Sequence, residues 1–345
     1  MTIKYTLVIC SICIWVATQA TLPSEKECSR FTKCVPFSYC SYAEKNDVEF
    51  CNNSDGSYVC CPFFEATSDT EKACQEYYRD SSICPKGGLI FNGVKTEPGE
   101  APYMAIIEAW NNTFIHKCGG ALVHNQYVLT AAHCVLEARA ENTSELEYFV
   151  RLGVYNRTEG DIIKRYKVVQ NFSSNYDGLT IKNDILLIML NETVKFTENI
   201  RPACLPSVEY PIQESDNLLF YGFGGRNSKE PSNEVLMRAR MRVISDTNFS
   251  NEKYEYIKAT GYNITSDACG GDSGGPLVRR HPFYKPCLSE VMAVASDGPN
   301  CDASAPLTLY TNVLHYLPWI HKVLWNISEN HVRPRPTPFF KIFLN

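Results

Sequence analysis

The main segment of the chain predicts an all-β sandwich or barrel. From Ile90 onward short apolar runs recur (Tyr103–Ile107, Tyr127–Thr130, Ile185–Leu190, Val291–Ala295), separated by Gly, Pro and Asn turns. That is the pattern of many short strands joined by turns, not of strands alternating with helices. A helical pattern appears only at the end, in Leu314–Trp325. Ahead of this segment six cysteines crowd into residues 28–61, so a small unit held by disulfides precedes the strand-rich one.

A chain of 345 residues is long enough for one large core and a small extra module. A net charge of −5 gives no footprint for nucleic acid, the charges are scattered, and no internal repeat is present. Residues 1–20 read as a secretory signal peptide: Lys4 precedes the apolar run Leu7–Val16, and Thr18-Gln19-Ala20 offers small residues for cleavage. The run is too short to favour a membrane span, and no other stretch is long and apolar enough for one. The expected location is therefore extracellular.

Sixteen cysteines, of which Cys10 and Cys13 lie in the leader, leave fourteen. An even number in a secreted chain suggests seven disulfides and an oxidising compartment. Nine Asn-x-Ser/Thr sequons fit that route: Asn52, Asn111, Asn142, Asn156, Asn171, Asn191, Asn248, Asn263 and Asn326.

In the head, Cys28, Cys34, Cys40, Cys51, Cys60 and Cys61 have zinc as their rival use. The adjacent pair Cys60-Cys61, the absence of histidine and the secretory route favour disulfides. Composition leaves fifteen connectivities open. Residues 62–89 form a linker, whose polar residues, Cys74, Cys84 and Pro85-Lys86-Gly87-Gly88 turn signal an exposed segment of the kind that proteases cut.

The chemistry gathers at Ala268–Pro276, where Ser273 stands among glycines directly after Asp272. A serine hydroxyl attacks well only with a base beside it and with backbone N–H groups aimed at the oxyanion. Glycines let the backbone turn tightly and let a substrate carbonyl come close.

Thr130-Ala131-Ala132-His133-Cys134, Asn183-Asp184-Ile185-Leu186-Leu187 and Gly271-Asp272-Ser273-Gly274-Gly275 follow in that order. On these motifs residues 90–325 resemble a chymotrypsin-like serine protease of the S1 family. The spacing of the head resembles the clip domain of arthropod secreted proteases. The whole is similar to a clip-domain serine protease, subgroup C: a chymotrypsin-like double β-barrel with a C-terminal helix, preceded by a disulfide-rich clip domain at 28–61.

The resemblance implies His133 as base, Asp184 as its orienter and Ser273 as nucleophile, with the N–H groups of Gly271 and Ser273 as oxyanion hole. It implies pairs Cys28–Cys60, Cys34–Cys51, Cys40–Cys61, Cys118–Cys134 and Cys269–Cys301. A linker cysteine, Cys74 or Cys84, would tether to Cys204, with Cys287 taking the other.

Activation in such a family follows a cut ahead of Ile90-Phe91-Asn92-Gly93, after which the Ile90 ammonium pairs with Asp272. The residue before the bond is Leu89 rather than Arg or Lys, so the implied activator cleaves after leucine. Asp267 would floor the specificity pocket and favour Arg or Lys. Ser296, Gly298 and Thr308 would line its walls. Asp297 replaces the family's aromatic, and Thr308 stands where a glycine is usual and narrows the pocket.

A common family disulfide is missing, with Phe249 and Lys258 near its two places, and a glycan at Asn263 could crowd the entrance. Gly153-Val154-Tyr155 lacks the carboxylate that opens the family's calcium loop, so no metal and no cofactor are expected. The partners implied are an upstream activating protease, a downstream zymogen or other protein substrate, and a serpin-type inhibitor. The setting implied is a proteolytic cascade such as melanisation or Toll activation, in a haemolymph-like fluid or venom. The rival expectation is a weakly active or non-catalytic homologue serving as cofactor, scaffold or venom component. Residues 326–345 form a Pro-rich, extended tail.

Overall fold

The computed structural model describes residues 32–36, 51, 58–62, 69–77, 94–137, 146–158, 164–206, 212, 216–225, 233–244, 255–262, 271–280, 288–298 and 307–325. The chain divides into two compact units, Met1–Glu65 and Ala66–Asn345.

In the first unit β1 (Thr32–Pro36) and β2 (Tyr58–Pro62) pair antiparallel, with Cys34 opposite Cys60 and Lys33 opposite Cys61. Cys51 is buried and disulfide-bonded. Each of the three pairings expected for this head involves at least one side chain outside the described residues.

The second unit opens with helix α1 (Asp69–Tyr77). This departs from the expectation of an exposed linker. Cys74 is bonded to Cys204, Tyr77 meets Phe196 edge-on at 5.6 Å, and the guanidinium of Arg201 donates to the Tyr77 carbonyl. The disulfide settles the choice left open between Cys74 and Cys84. Tertiary anchoring of this kind stabilises a short helix whose intrinsic tendency is marginal.

Next come β3 (Val94–Lys95), β4 (Met104–Trp110), β5 (Phe114–His124), β6 (Tyr127–Thr130) and the single-turn helix α2 (His133–Leu136). They are followed by β7 (Glu147–Leu152), β8 (Arg165–Ser173) and β9 (Leu186–Leu190). Six of these strands close a barrel in the order β4-β5-β6-β9-β8-β7.

The remaining strands are β10 (Leu218–Gly222), β11 (Met237–Val243), β12 (Tyr256–Gly261), β13 (Pro276–Arg280), β14 (Ser289–Asp297) and β15 (Thr308–Asn312). They run β10-β13-β14-β15-β12-β11, and a further β10–β11 pairing closes the second barrel while β3 adds to its outside. This is the chymotrypsin-like double barrel. Closure leaves no sheet edges among the barrel strands.

Burial follows the sequence pattern. β12 alternates buried and half-buried residues along Tyr-Ile-Lys-Ala-Thr-Gly, as a strand with one inward face should. In β14 every residue from Ser289 to Ser296 is buried, because its two faces are both covered. One core holds Ile106, Leu122, Val128, Leu187 and Tyr221, and another fills the second barrel with Phe220, Met241, Ile257, Leu277 and Tyr310.

Helix α3 (Val313–Trp325) ends the described chain. Asn312 caps it, its Oδ1 accepting from the Leu314 N–H at 3.1 Å. The helix packs its buried Leu314, Leu317 and Ile320 against the first core.

Candidate active site

The barrels meet along a seam, and the motif residues lie on its two sides. His133 follows the end of β6, and Asp184 directly precedes the buried run Ile185–Ile188. Ser273 lies just before β13 in the other barrel. Buried Ala131 and Ala132 bring the chain tightly into α2, whose Val135 and Leu136 N–H groups both donate to the Ala132 carbonyl. The Cys118–Cys134 disulfide then clamps α2 to β5, as expected.

Asp184 is completely buried and accepts three hydrogen bonds. The His133 backbone N–H donates to Oδ1 at 2.9 Å; His133 Nδ1 and Ser296 Oγ donate to Oδ2 at 2.8 and 2.6 Å. A carboxylate only accepts, so Nδ1 carries the imidazole proton and Nε2 is the basic nitrogen. Burial pushes the Asp184 carboxyl up, but the hydrogen bonds and charge of His133 together with Ser296 outweigh it and hold it below the ordinary range. Burial likewise pushes His133 down. The hydrogen bond and charge of Asp184, aided by Glu137 and Asp297, reverse that and raise it above 6.5.

The supports of Asp184 were only partly legible. Ser296 was expected in the pocket wall, and its hydroxyl is in addition a donor to Asp184. Thr311 Oγ1 donates to the Asp184 carbonyl at 2.8 Å. The preceding Asn183 sits at φ 57°, held by Tyr316 on its side chain and by Glu255 on its N–H. No local pattern in the sequence marks Thr311, Tyr316 or Glu255 for this work, because they arrive from the other side of the seam.

The serine loop is docked by its backbone. The Ser273 carbonyl accepts from the Gly119 N–H at 2.8 Å, and the Gly274 N–H donates to the Ala295 carbonyl at 2.8 Å. A Cβ at Gly274 would overlap Thr130 Oγ1 and the Gly119 carbonyl, so this turn presses on the strand end that leads to His133. Gly271 and Gly274 lie at φ 93° and 74°, which only glycine adopts at little cost. Ser273 is half-buried, and among the described residues no hydrogen bond joins its hydroxyl to His133.

Asp272 is buried, its Oδ1 accepting from the Gly224 N–H at 2.7 Å. A side chain at Gly222 or Gly224 would collide with its carboxylate. Thr308 is buried and packs across at Gly298, where its Oγ1 would lie 3.1 Å from an added Cβ. Asp297 is exposed at the end of β14, with its carboxylate accepting from the Gly298 N–H. Asp267, Leu89, Ile90, Cys269 and Cys301 lie outside the described residues. The metal-ligating cluster found among the described residues, Cys118, His133 and Cys134, is a disulfide beside an imidazole, so no thiolate is left for an ion.

The model of the trypsin family matches residues 90–320. The chain belongs to the trypsin family of serine proteases. Among its relatives, Serine protease grass of Drosophila melanogaster is 28% identical over 316 residues, 83% of this chain and 81% of that one. Transmembrane protease serine 11B of Homo sapiens is 29% identical over 290 residues, 80% of this chain and 65% of the human protein. CLIP domain-containing serine protease B9 of Anopheles gambiae is 27% identical over 267 residues, 70% of this chain and 64% of that protein. No described helix is long and apolar enough to cross a membrane.

Proposed function

We propose that the chain is the secreted zymogen of a clip-domain serine endopeptidase, activated by cleavage at Leu89–Ile90. The observation that carries the reading is the hydrogen-bonded array Ser296–Asp184–His133 together with a serine loop docked onto β5 and β14 and pressed against Thr130, close to His133 in the chain. His133 takes the proton of Ser273 through Nε2 as the hydroxyl attacks a peptide carbonyl, then gives it to the leaving amine. Asp184 fixes the tautomer and stabilises the imidazolium. The N–H groups of Gly271 and Ser273 receive the oxyanion, a donor of this kind being worth roughly 3–4 kcal/mol.

After the cut, the new Ile90 ammonium pairs with Asp272. The Gly224 N–H and the absence of side chains at Gly222 and Gly224 support a carboxylate held in that place. Asp267 directs cleavage after Arg or Lys, between walls built by Ser296, Gly298 and Thr308. The residues 28–61 act as a clip domain, tethered to the protease unit by the Cys74–Cys204 bond after activation. The partners are an activator that cleaves after leucine, a downstream zymogen and a serpin-type inhibitor, within an extracellular cascade. Similarity to a CLIP domain-containing serine protease of a mosquito supports the clip reading.

Thr308 packed on Gly298 favours a second reading, a non-catalytic homologue acting as cofactor or scaffold. The test is hydrolysis of Arg, Lys, Leu and Phe peptide substrates by protein cut only at Leu89–Ile90, with His133→Ala as control. Cleavage after Arg or Lys, lost in the control, is expected. Inertness of a correctly cut, folded sample selects the scaffold.

A further inference from the structure

Three of the large apolar side chains exposed at the surface belong to one hairpin: Trp110, Phe114 and Ile115, each 37–41% accessible. Trp110 pairs with Phe114 across β4 and β5, their rings 4.6 Å apart. Phe114 is fixed in turn by Phe149 edge-on at 5.3 Å and by the Arg165 guanidinium 3.9 Å above its ring. The result is a rigid aromatic ledge facing solvent, of the kind that ordinarily marks a covered or binding surface.

The three-residue turn on that ledge is Asn111-Asn112-Thr113, a sequon. Asn112 takes the left-handed φ of 58°, which asparagine tolerates, and the Asn111 N–H bonds to the Thr113 carbonyl. Asn111 is exposed, and its side-chain carboxamide makes no hydrogen bond among the described residues.

The other described sequons are differently placed. Asn156 Oδ1 is engaged by both the N–H and the hydroxyl of Thr158, the threonine of its own sequon. Asn191 accepts from the Lys167 N–H and donates to Glu192. Asn171 is half-buried within β8, opposite Ile188.

We infer that Asn111 carries an N-linked glycan whose first sugar lies on the Trp110–Phe114 ledge. The inference rests on the secretory reading above. In the transfer, the Asn111 amide nitrogen displaces a lipid diphosphate from C1 of a lipid-linked oligosaccharide. An N–C1 bond replaces the C1–O bond, and the amide nitrogen gives up one proton as the lipid diphosphate departs. The apolar C–H face of the pyranose then covers the indole next door. Because the ledge is already held by Phe149 and Arg165, little ordering is lost on contact. The glycan thereby converts an exposed aromatic patch into a soluble surface.

The test uses the full chain with its own leader in secreting insect cells. Glycopeptides are mapped by mass spectrometry after enzymatic release in heavy-oxygen water. Label at Asn111 is expected, as is its loss in Thr113→Ala. Loss of that one glycan in Thr113→Ala should raise binding of a fluorescent hydrophobic probe and lower the melting midpoint relative to the parent, and should move neither when Thr113→Ala is added to Trp110→Ser. If that variant is not secreted, Phe114→Ser serves the same comparison.

A secreted protein with Asn111 unmodified overturns the site. Equal shifts in parent and ledge variants overturn the contact. Retention in the cell with the leader intact and every sequon bare overturns the secretory reading, and the glycan with it.

Discussion

Replacing Asp184 with asparagine tests the chemistry from the geometry outward. Its carboxylate faces three donors, one on Oδ1 and two on Oδ2. A carboxamide has one oxygen, so one side must present N–H groups to N–H or O–H groups. If the amide nitrogen faces His133 Nδ1, that nitrogen has to become the acceptor. The imidazole proton then moves to Nε2, where it blocks uptake of the Ser273 proton. If the amide nitrogen faces the His133 backbone instead, the Nδ1 bond survives but the negative charge is gone.

In the proposed mechanism that charge stabilises the imidazolium formed during attack. At a separation of about 4 Å between charge centres and an effective dielectric near 20, it is worth roughly 4 kcal/mol. The corresponding loss is about 10³-fold in kcat. The acid limb of the pH profile should also move. His133 must be neutral to act as base, and Asp184 holds it above 6.5, so parental activity falls below a pH higher than the ordinary histidine value. In Asp184→Asn that limb moves to lower pH. The assay is kcat/KM against pH on the cut protein, with circular dichroism to establish folding. A folded variant with kcat within tenfold of the parent and an unmoved acid limb would refute the assignment of Asp184 as the partner of the catalytic base.

Other positions give sharper local outcomes. Thr308→Gly removes the side chain packed on Gly298 and should raise kcat/KM for Arg substrates roughly 10–200-fold, read in the same peptide panel. Gly274→Ala forces a methyl group into Thr130 Oγ1 at φ 74° and should cost about 1–3 kcal/mol in urea unfolding, with activity lost. Asp297→Asn removes an exposed charge that helps raise His133, so its acid limb should shift down by less than that of Asp184→Asn.

The sequence makes the barrels legible because their strands are short, apolar and punctuated by turns. The same holds for α3, where apolar residues recur at helical spacing, whereas its cap at Asn312 shows only in the structure. The motif residues were legible as motifs because their neighbours are local: Ala131 and Ala132 before His133, Asn183 before Asp184, Gly274 after Ser273. What the chain did not disclose are the contacts that depend on the seam. Ser296 reads as a wall residue, and its second contact, the hydroxyl on Asp184, becomes visible only once β14 is in place. Thr311, which bonds to Asp184, and Tyr316 and Glu255, which bond to Asn183 beside it, lie far away along the chain and arrive only once β15, α3 and the start of β12 are in place. Helix α1 was missed for a related reason: its sequence is polar and weakly patterned, and its anchor is the bond from Cys74 to Cys204.

In the proposed zymogen Ser273 becomes a nucleophile once Ile90 is freed to pair with Asp272. Fluorophosphonate labelling tests it most directly, since that reagent modifies a serine only when its base and oxyanion site are assembled. Protein cut at Leu89–Ile90 should be labelled at Ser273, while uncut protein, His133→Ala and Asp272→Asn should label far more slowly. No label on Ser273 in cut, folded protein, or equal labelling before and after the cut, would contradict the account.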